Sequence, residues 1–321
     1  MPDQDSEIPI VDLRAPAAAA AIGRACCRHG FFYVVGHGVA PGLRERLERV
    51  ARRFFALDVE TKLAIGMRRG GRAWRGYFPI GAELTDGRPD HKEGIYFGAE
   101  LDEQDPRVRA ALPLHGRNLF PDLPGFAAAV LAWLEVMTGL GHELLAMIAI
   151  SLGLERSYFH DRYTRDPLIL FRIFHYPALA AASDDWSVGE HTDYGLLTIL
   201  AQDDTGGLQI RSPTGWVDAA PIEDAFVCNI GDMLDRLTGG RYRSTPHRVR
   251  NASGRDRLSM PFFFDPAFDA EVAPIDPHAP IADDARERWD RASVHDFQGT
   301  YGDYLMRKVA RVFPRLGGEV L

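Results

Sequence analysis

Gly189-Glu190-His191-Thr192-Asp193-Tyr194-Gly195 runs directly into the apolar stretch Leu196-Leu197-Thr198-Ile199-Leu200. Side chains alternate faces along an extended chain, so this spacing predicts His191 and Asp193 on one face of a strand. An imidazole and a carboxylate directed the same way are two members of the 2-His-1-carboxylate facial triad, which leaves coordination positions open on a ferrous ion. Ser244-Thr245-Pro246-His247-Arg248-Val249 offers the second histidine, at the start of another expected strand. Arg257-Leu258-Ser259 then sets a planar cation and a hydroxyl on a shared face. A guanidinium takes a carboxylate in a two-pronged geometry that lysine cannot match. Each piece alone has an ordinary reading: a turn or surface pair for H-x-D, a structural histidine for His247, a surface ion pair for Arg257. Their order along the chain makes them a set.

The strand expected before this run, Arg172-Ile173-Phe174-His175-Tyr176-Pro177, places Arg172, Phe174 and Tyr176 on one face and Ile173 and His175 on the other. If Tyr176 faces inward, its hydroxyl joins Arg257 and Ser259 on one carboxylate, and His175 is not a ligand. A buried tyrosine needs such a partner. Arg172, directed inward with it, needs an anionic partner.

The chain has 321 residues, 46% hydrophobic and 26% charged, which is ordinary for a folded globular protein. The net charge of −8 with scattered basic residues argues against a nucleic-acid partner. Three cysteines cannot build a disulfide framework, and they read as reduced thiols in a cytoplasmic protein. Asp3, Asp5 and Glu7 precede the alanine run without a basic segment, so no secretory signal is expected. The apolar stretch Phe126 to Leu154 holds Glu135, His142 and Glu143, which favours a buried helix over a membrane span. Oligomeric state is not legible.

Two textures meet near residue 165. Before it, helices are expected over Ala17 to His29 and over Pro41 to Leu57, where Leu43, Leu47, Val50, Phe54 and Leu57 recur at helical spacing. Pro16 and Pro41 suit the first turns of these helices. Short strands are expected at Ile8 to Val11 and Phe31 to Val35. Gly70 to Gly98 reads as loop with a strand at Gly94 to Phe97. After Asp166 come strand-like runs at Leu168 to Tyr176, Gly195 to Ala201, Gly207 to Ile210, Ala225 to Ile230 and Leu258 to Phe264, divided by turn signals such as Pro213 to Gly215. A helix over Val294 to Phe313 closes the chain. This pattern suggests a mainly β protein with flanking helices, a sandwich or barrel of which the jelly roll is the form that leaves an interior for a ligand; the family resemblance given below implies the particular form, a double-stranded β-helix (jelly-roll) core with an N-terminal α/β region, a long support helix and a C-terminal helix. The expected division is 1–125 for the N-terminal region and 126–321 for the core with its support helices, within one compact unit.

Taken together, these motifs resemble the isopenicillin N synthase-like family of non-heme iron oxygenases, most of whose members use 2-oxoglutarate. The similarity extends over nearly the whole chain. It rests on Ile8-Pro9-Ile10-Val11-Asp12-Leu13, Cys27-Arg28-His29-Gly30-Phe31-Phe32, Gly36-His37-Gly38-Val39, Phe174-His175-Tyr176-Pro177, the H-x-D run, Asn229-Ile230-Gly231-Asp232, Gly240 to Val249 and Arg257-Leu258-Ser259. The resemblance implies that His191, Asp193 and His247 hold Fe(II). It implies that Arg257 and Ser259, with Tyr176, anchor the distal carboxylate of 2-oxoglutarate. The implied activity consumes dioxygen and hydroxylates a substrate through a ferryl oxidant, releasing succinate and carbon dioxide. Plant members often carry asparagine where this chain has Phe174, and Asn229 with Gly231-Asp232 is expected to shape a turn.

The segment Gly81 to Gly87, followed by His91-Lys92-Glu93-Gly94, is similar to a loop over the iron in relatives. Glu83, Thr85 and Lys92 are therefore candidate substrate contacts, alongside the plainer reading of a solvated loop; Tyr194, next to Asp193, and Phe264 are named with them, and Arg172, as an inward cation, is a candidate to bind a substrate carboxylate or brace the cosubstrate. The expected substrate is a small polar or anionic molecule, with no nucleic-acid or membrane partner. Two alternatives stay open. One is an oxidase of the isopenicillin N synthase type that needs no 2-oxoglutarate; the other is a zinc hydrolase or a non-catalytic metal-binding barrel.

Overall fold

In the computed structural model the described residues are 7–85, 88–178, 186–212, 214–276, 278 and 292–312. The first part of the chain carries β1 (Ile10–Asp12), α1 (Ala18–Arg28), β2 (Phe31–Val35), α2 (Pro41–Phe55), α3 (Val59–Leu63), β3 (Gly76–Phe78), β4 (Leu84–Thr85), β5 (Arg88–Pro89), β6 (Glu93–Gly98) and α4 (Pro106–Arg109). Helices α5 (Phe126–Ser151) and α6 (Tyr158–Arg162) lead into β7 (Leu168–Tyr176), β8 (Val188–His191), β9 (Leu197–Gln202), β10 (Leu208–Ser212), β11 (Gly215–Asp218) and β12 (Phe226–Ile230). Then follow α7 (Asp232–Leu237), β13 (His247–Val249), β14 (Arg257–Asp265) and α8 (Tyr301–Val312).

The helices form where apolar spacing and first-turn residues agree. In α2, Leu43, Leu47, Val50 and Phe54 are buried, and Pro41 sits at the first helical position, where its missing N–H costs nothing. Pro16 does not play that part, because α1 begins at Ala18 and Pro16 lies in the turn before it. Helix α5 is long and apolar enough to cross a membrane by length and composition. Here it packs against α1, α2, β9 and β14, burying Trp133, Met137, Leu144 and Ile148 among others. Each such side chain contributes roughly 1.5–3 kcal/mol on burial, so α5 acts as the support on which the main sheet rests.

The main sheet has the order β1-β2-β12-β9-β14-β7-β6-β3, and the second has the order β11-β10-β13-β8. Strands β12, β9, β14 and β7, with the second sheet, are the eight strands of a jelly roll. The remaining four strands of the main sheet come from the N-terminal region, so one sheet draws on both sides of residue 125.

Three local expectations change. Gly70 to Gly98 holds β3, β4 and β5 as well as the expected strand, but these span only two or three residues, too few to show a period. Strand β11 likewise leaves no visible pattern in the sequence. The expected helix over Val294 to Phe313 is divided into a 3-10 turn at Val294–Asp296 and α8, with Gly299 at φ +131° between them. Phe313, Asp86, Gly87 and Pro213 lie outside the described residues, as do Asp3 and Asp5.

Candidate active site

Strand β13 pairs antiparallel with β8, with His247 directly opposite His191. Asp193 reaches them by a route the spacing does not predict. Strand β8 ends at His191, and Thr192 and Asp193 lie beyond it, so the pair does not share a strand face. The loop is instead docked on the start of α7. The N–H of Asp232 donates to the carbonyl of Asp193 at 2.8 Å, that of Met233 to Gly195 at 2.9 Å, and that of Gly231 to Leu196 at 3.1 Å. This approach requires glycine, because a Cβ at position 231 would stand 2.3 Å from the carbonyl oxygen of Gly195.

The ligand atoms of His191, Asp193 and His247 all lie within 4.8 Å of one another. His247 Nε2 is 3.7 Å from Asp193 Oδ1. Nδ1 of His191 lies 2.8 Å from the carbonyl of Gly189, and Nδ1 of His247 lies 3.2 Å from that of Thr245. A carbonyl only accepts, so both Nδ1 atoms carry the proton and both Nε2 lone pairs face the centre. Burial, and then the neighbouring His247, push the His191 imidazole down to about 3, which keeps it neutral as a ligand must be. Asp193 Oδ2 accepts from Thr198 Oγ1 at 2.5 Å and from Asn229 Nδ2 at 2.7 Å, leaving Oδ1 for the centre. Two neutral nitrogens and one carboxylate oxygen on one side of a cavity fit a divalent iron with open positions.

Asn229 therefore does more than shape the expected turn. It orients the carboxylate, and removing a group in that position commonly costs 10–100-fold in metal affinity. Asn229→Ala is expected to weaken Fe(II) binding by about that factor, read by anaerobic titration. An unchanged dissociation constant would remove Asn229 from the site.

Beside the triad, β14 pairs with β7 so that Arg257 stands opposite Tyr176 and Ser259 opposite Phe174. Arg257 is wholly buried. Its Nε donates to the carbonyl of Gly206 at 2.5 Å and its Nη2 to Gln202 Oε1 at 3.4 Å. Its Nη1 is buried and has no hydrogen-bond partner among the described residues. The Tyr176 ring lies under the guanidinium, 4.9 Å from Cζ. A buried cation with one unpartnered nitrogen, in a cavity wall that also carries Ser259 and Tyr176, fits an anionic group such as the far carboxylate of 2-oxoglutarate. His175 points to the other side of the sheet, with Nδ1 2.8 Å from Glu93 Oε1 and Nε2 3.2 Å from Asp256 Oδ2. It is not part of the triad.

Triad and cradle open into one cavity of about 430 Å³, whose wall includes Arg172, Tyr194, Glu83, Thr85 and Lys92. Arg172 finds its anionic partner within the protein, with Nη1 3.5 Å from Glu83 Oε1. Lys92 forms ion pairs with Glu83, at 2.9 Å, and with Asp90. Tyr96 donates to Glu83 at 2.7 Å, and Thr85 donates to Asp90 at 2.8 Å. These residues form an ordered, internally neutralised wall; a solvated loop would not bury Glu83 and Lys92. Phe174 lies beneath Lys92, its ring centroid 4.8 Å from Nζ.

Phe264 requires a correction. It does not line the cavity; its ring packs against His142 at 4.9 Å, on α5. Counting in steps of two from Arg257 gives Ser259, Pro261, Phe263 and Asp265, and these are the β14 residues that face the cavity. Thr198 and Asn229 were also missed as parts of the site. The available signal was a polar residue within each of two apolar strands, and the two stand directly opposite each other in the β9–β12 ladder.

Comparison with known proteins bears on this geometry. A family model described as the N-terminal region of the non-haem dioxygenases in morphine synthesis matches residues 8–123. One described as the 2OG-Fe(II) oxygenase superfamily matches residues 168–266. A probable iron/ascorbate oxidoreductase of Dictyostelium discoideum is 49% identical over 336 residues, covering 97% of this chain and 93% of its own. A 1-aminocyclopropane-1-carboxylate oxidase of the same organism is 37% identical, covering 96% of this chain and 95% of its own. The crystal structure of a full-length Neurospora crassa protein in complex with alpha-KG and thymine is similar with a TM-score of 0.78 and 28% identity, covering 96% of this chain and 98% of that one.

Proposed function

Because the chain belongs to the 2-oxoglutarate-dependent non-heme iron oxygenases, and is therefore an oxidoreductase that uses Fe(II), 2-oxoglutarate and dioxygen, we propose that His191, Asp193 and His247 hold the iron. We propose further that Arg257, Ser259 and Tyr176 hold the distal carboxylate of 2-oxoglutarate, and that the reaction is hydroxylation of a small polar or anionic molecule. The observation that carries this reading is the buried Nη1 of Arg257, without a hydrogen-bond partner among the described residues, in the wall of the cavity that holds the triad. Neither zinc hydrolysis nor passive metal storage calls for such a group.

Iron and 2-oxoglutarate, when bound, supply the oxidation of a carbon–hydrogen bond by dioxygen, with succinate and carbon dioxide as coproducts. The chain supplies position and environment. Thr198 and Asn229 hold the Asp193 carboxylate in one orientation. The Nδ1–H bonds of His191 and His247 stop the rings from turning. Gly206 and Gln202 hold two of the three guanidinium nitrogens of Arg257, so Nη1 is aimed before the anion arrives and little ordering is left to do on binding. Leu200, Leu208 and Val249, in the same wall, keep the site dry and strengthen its electrostatics.

Arg172, Tyr194, Glu83, Thr85 and Lys92, whose charges are balanced among themselves and Asp90, give the wall polar groups that support a substrate with at least one polar group. The thymine held by the similar Neurospora crassa structure supports a small molecule in a cavity of this size. Free Cys26, Cys27 and Cys228 support a cytoplasmic location.

Anaerobic addition of Fe(II) and 2-oxoglutarate is expected to produce a visible charge-transfer absorption in the wild-type protein. Turnover over a panel of small polar substrates is expected to yield succinate. Turnover that proceeds with neither the absorption nor succinate would favour the oxidase reading, in which Arg257 and Ser259 hold some other ligand.

A further inference from the structure

We propose that the C-terminal helix α8 is a positioning element for the iron site: Tyr301 and Tyr304 act through Asp265 and Asp232 to hold the loop that presents Asp193. This rests on the reading of Asp193 as an iron ligand.

Tyr301 and Tyr304 lie three residues apart, on one face of α8. The Tyr301 hydroxyl donates to Asp265 Oδ2 at 2.5 Å, and the Tyr304 hydroxyl donates to Asp232 Oδ2 at 2.6 Å. All four side chains are buried, with Tyr301 and Asp232 at 1% exposure or less. Both carboxylates border the same short loop from different sides. Asp232 holds it through its own backbone, whose N–H donates to the Asp193 carbonyl. Asp265 presses on it at Gly195, where an added Cβ would stand 1.5 Å from Asp265 Oδ1. Helix α8 is anchored in turn, since the N–H groups of Tyr301 and Gly302 donate to the carbonyls of Ala270 and Phe268 at 2.9 and 2.7 Å.

A phenol donating to a buried carboxyl oxygen is a hydrogen bond with a defined direction. Two of them, bracketing Asp193 to Leu196, fix the loop against translation as well as rotation. Thr198 and Asn229 orient the carboxylate of Asp193, and α8 sets where its backbone stands. The same helix contributes Leu305 and Val309 to the cavity wall, so metal site and substrate cavity share one support.

The test uses full-length Tyr301→Phe and Tyr304→Phe, with Tyr33→Phe as control. Tyr33 is a comparably buried tyrosine whose hydroxyl donates to the Ala220 carbonyl at 2.6 Å and which, unlike Tyr301, does not line the cavity. Fe(II) dissociation constants and the anaerobic Fe(II)–2-oxoglutarate absorption maximum are measured for each, beside thermal midpoints. The α8 variants are expected to bind Fe(II) about tenfold more weakly, the low end for groups that orient a ligand, and to shift the absorption maximum. Tyr33→Phe is expected to lower the midpoint while leaving both iron readouts unchanged. If both α8 variants lower only the midpoint, as the control does, the proposal is overturned. Should one of them fail to fold, the other, acting through a different carboxylate, decides on the same readouts. Failure of the wild-type protein to bind Fe(II) would overturn the iron reading itself, a separate result.

Discussion

His247→Ala is expected to leave a folded protein that loses iron on anaerobic desalting and forms succinate more than about a thousandfold more slowly. That loss corresponds to about 4 kcal/mol of transition-state stabilisation, within what a bound metal contributes. His247 is paired directly across from His191, and its Nε2 lies 3.7 Å from Asp193 Oδ1, so its removal strips one of three donors and leaves two adjacent ones on one side. Two donors do not define a face. The remaining pair keeps its supports, because the bonds from Thr198 and Asn229 to Asp193 do not involve His247. Circular dichroism is therefore expected to be unchanged while metal content falls. A variant that retains stoichiometric iron and wild-type succinate formation would show that the three residues are not the iron site.

The second large effect is expected from Arg257→Ala, as a rise in the KM for 2-oxoglutarate of about a hundredfold or more. Truncating one partner of a buried, hydrogen-bonded charge pair costs about 2–5 kcal/mol, which is roughly thirtyfold to several thousandfold in affinity. The loss should appear in binding, since the anion is held equally before and during reaction. Arg257→Lys is expected to recover only part of it. A lysine ammonium can approach the anion or the Gly206 carbonyl, but it cannot span Gly206, Gln202 and a ligand as the planar guanidinium does. The Fe(II)–2-oxoglutarate absorption, titrated with 2-oxoglutarate, measures the affinity directly. If Arg257→Ala titrates like the wild type, the cradle holds something else.

The candidate site was legible as far as strand parity reaches. Arg257 with Ser259, and Arg172 with Tyr176, alternate as a local rule demands, and pairing of β14 with β7 then brings the two sets together. Phe264 was named without that count, which from Arg257 selects Phe263 instead. Asn229 and Thr198 show the limit of the rule. Each is a polar residue in an apolar strand, and neither spacing nor composition tells which residue of a distant strand it will meet.

Asp193 marks the boundary most clearly. Its spacing from His191 pointed to a residue that the structure does bring beside both histidines, but by another route, since β8 ends before it and the start of α7 places it instead. By itself the sequence determined the donor types and the alternation along β7 and β14, because these follow from residue chemistry and from a two-residue period that acts between neighbours, and its motifs carried the resemblance to the family. Only the tertiary structure decided which polar groups brace the site. Tyr304 is 72 residues along the chain from Asp232, and Tyr301 is 36 from Asp265. Bonds between residues so far apart depend on how a helix docks on a sheet, which no local period encodes.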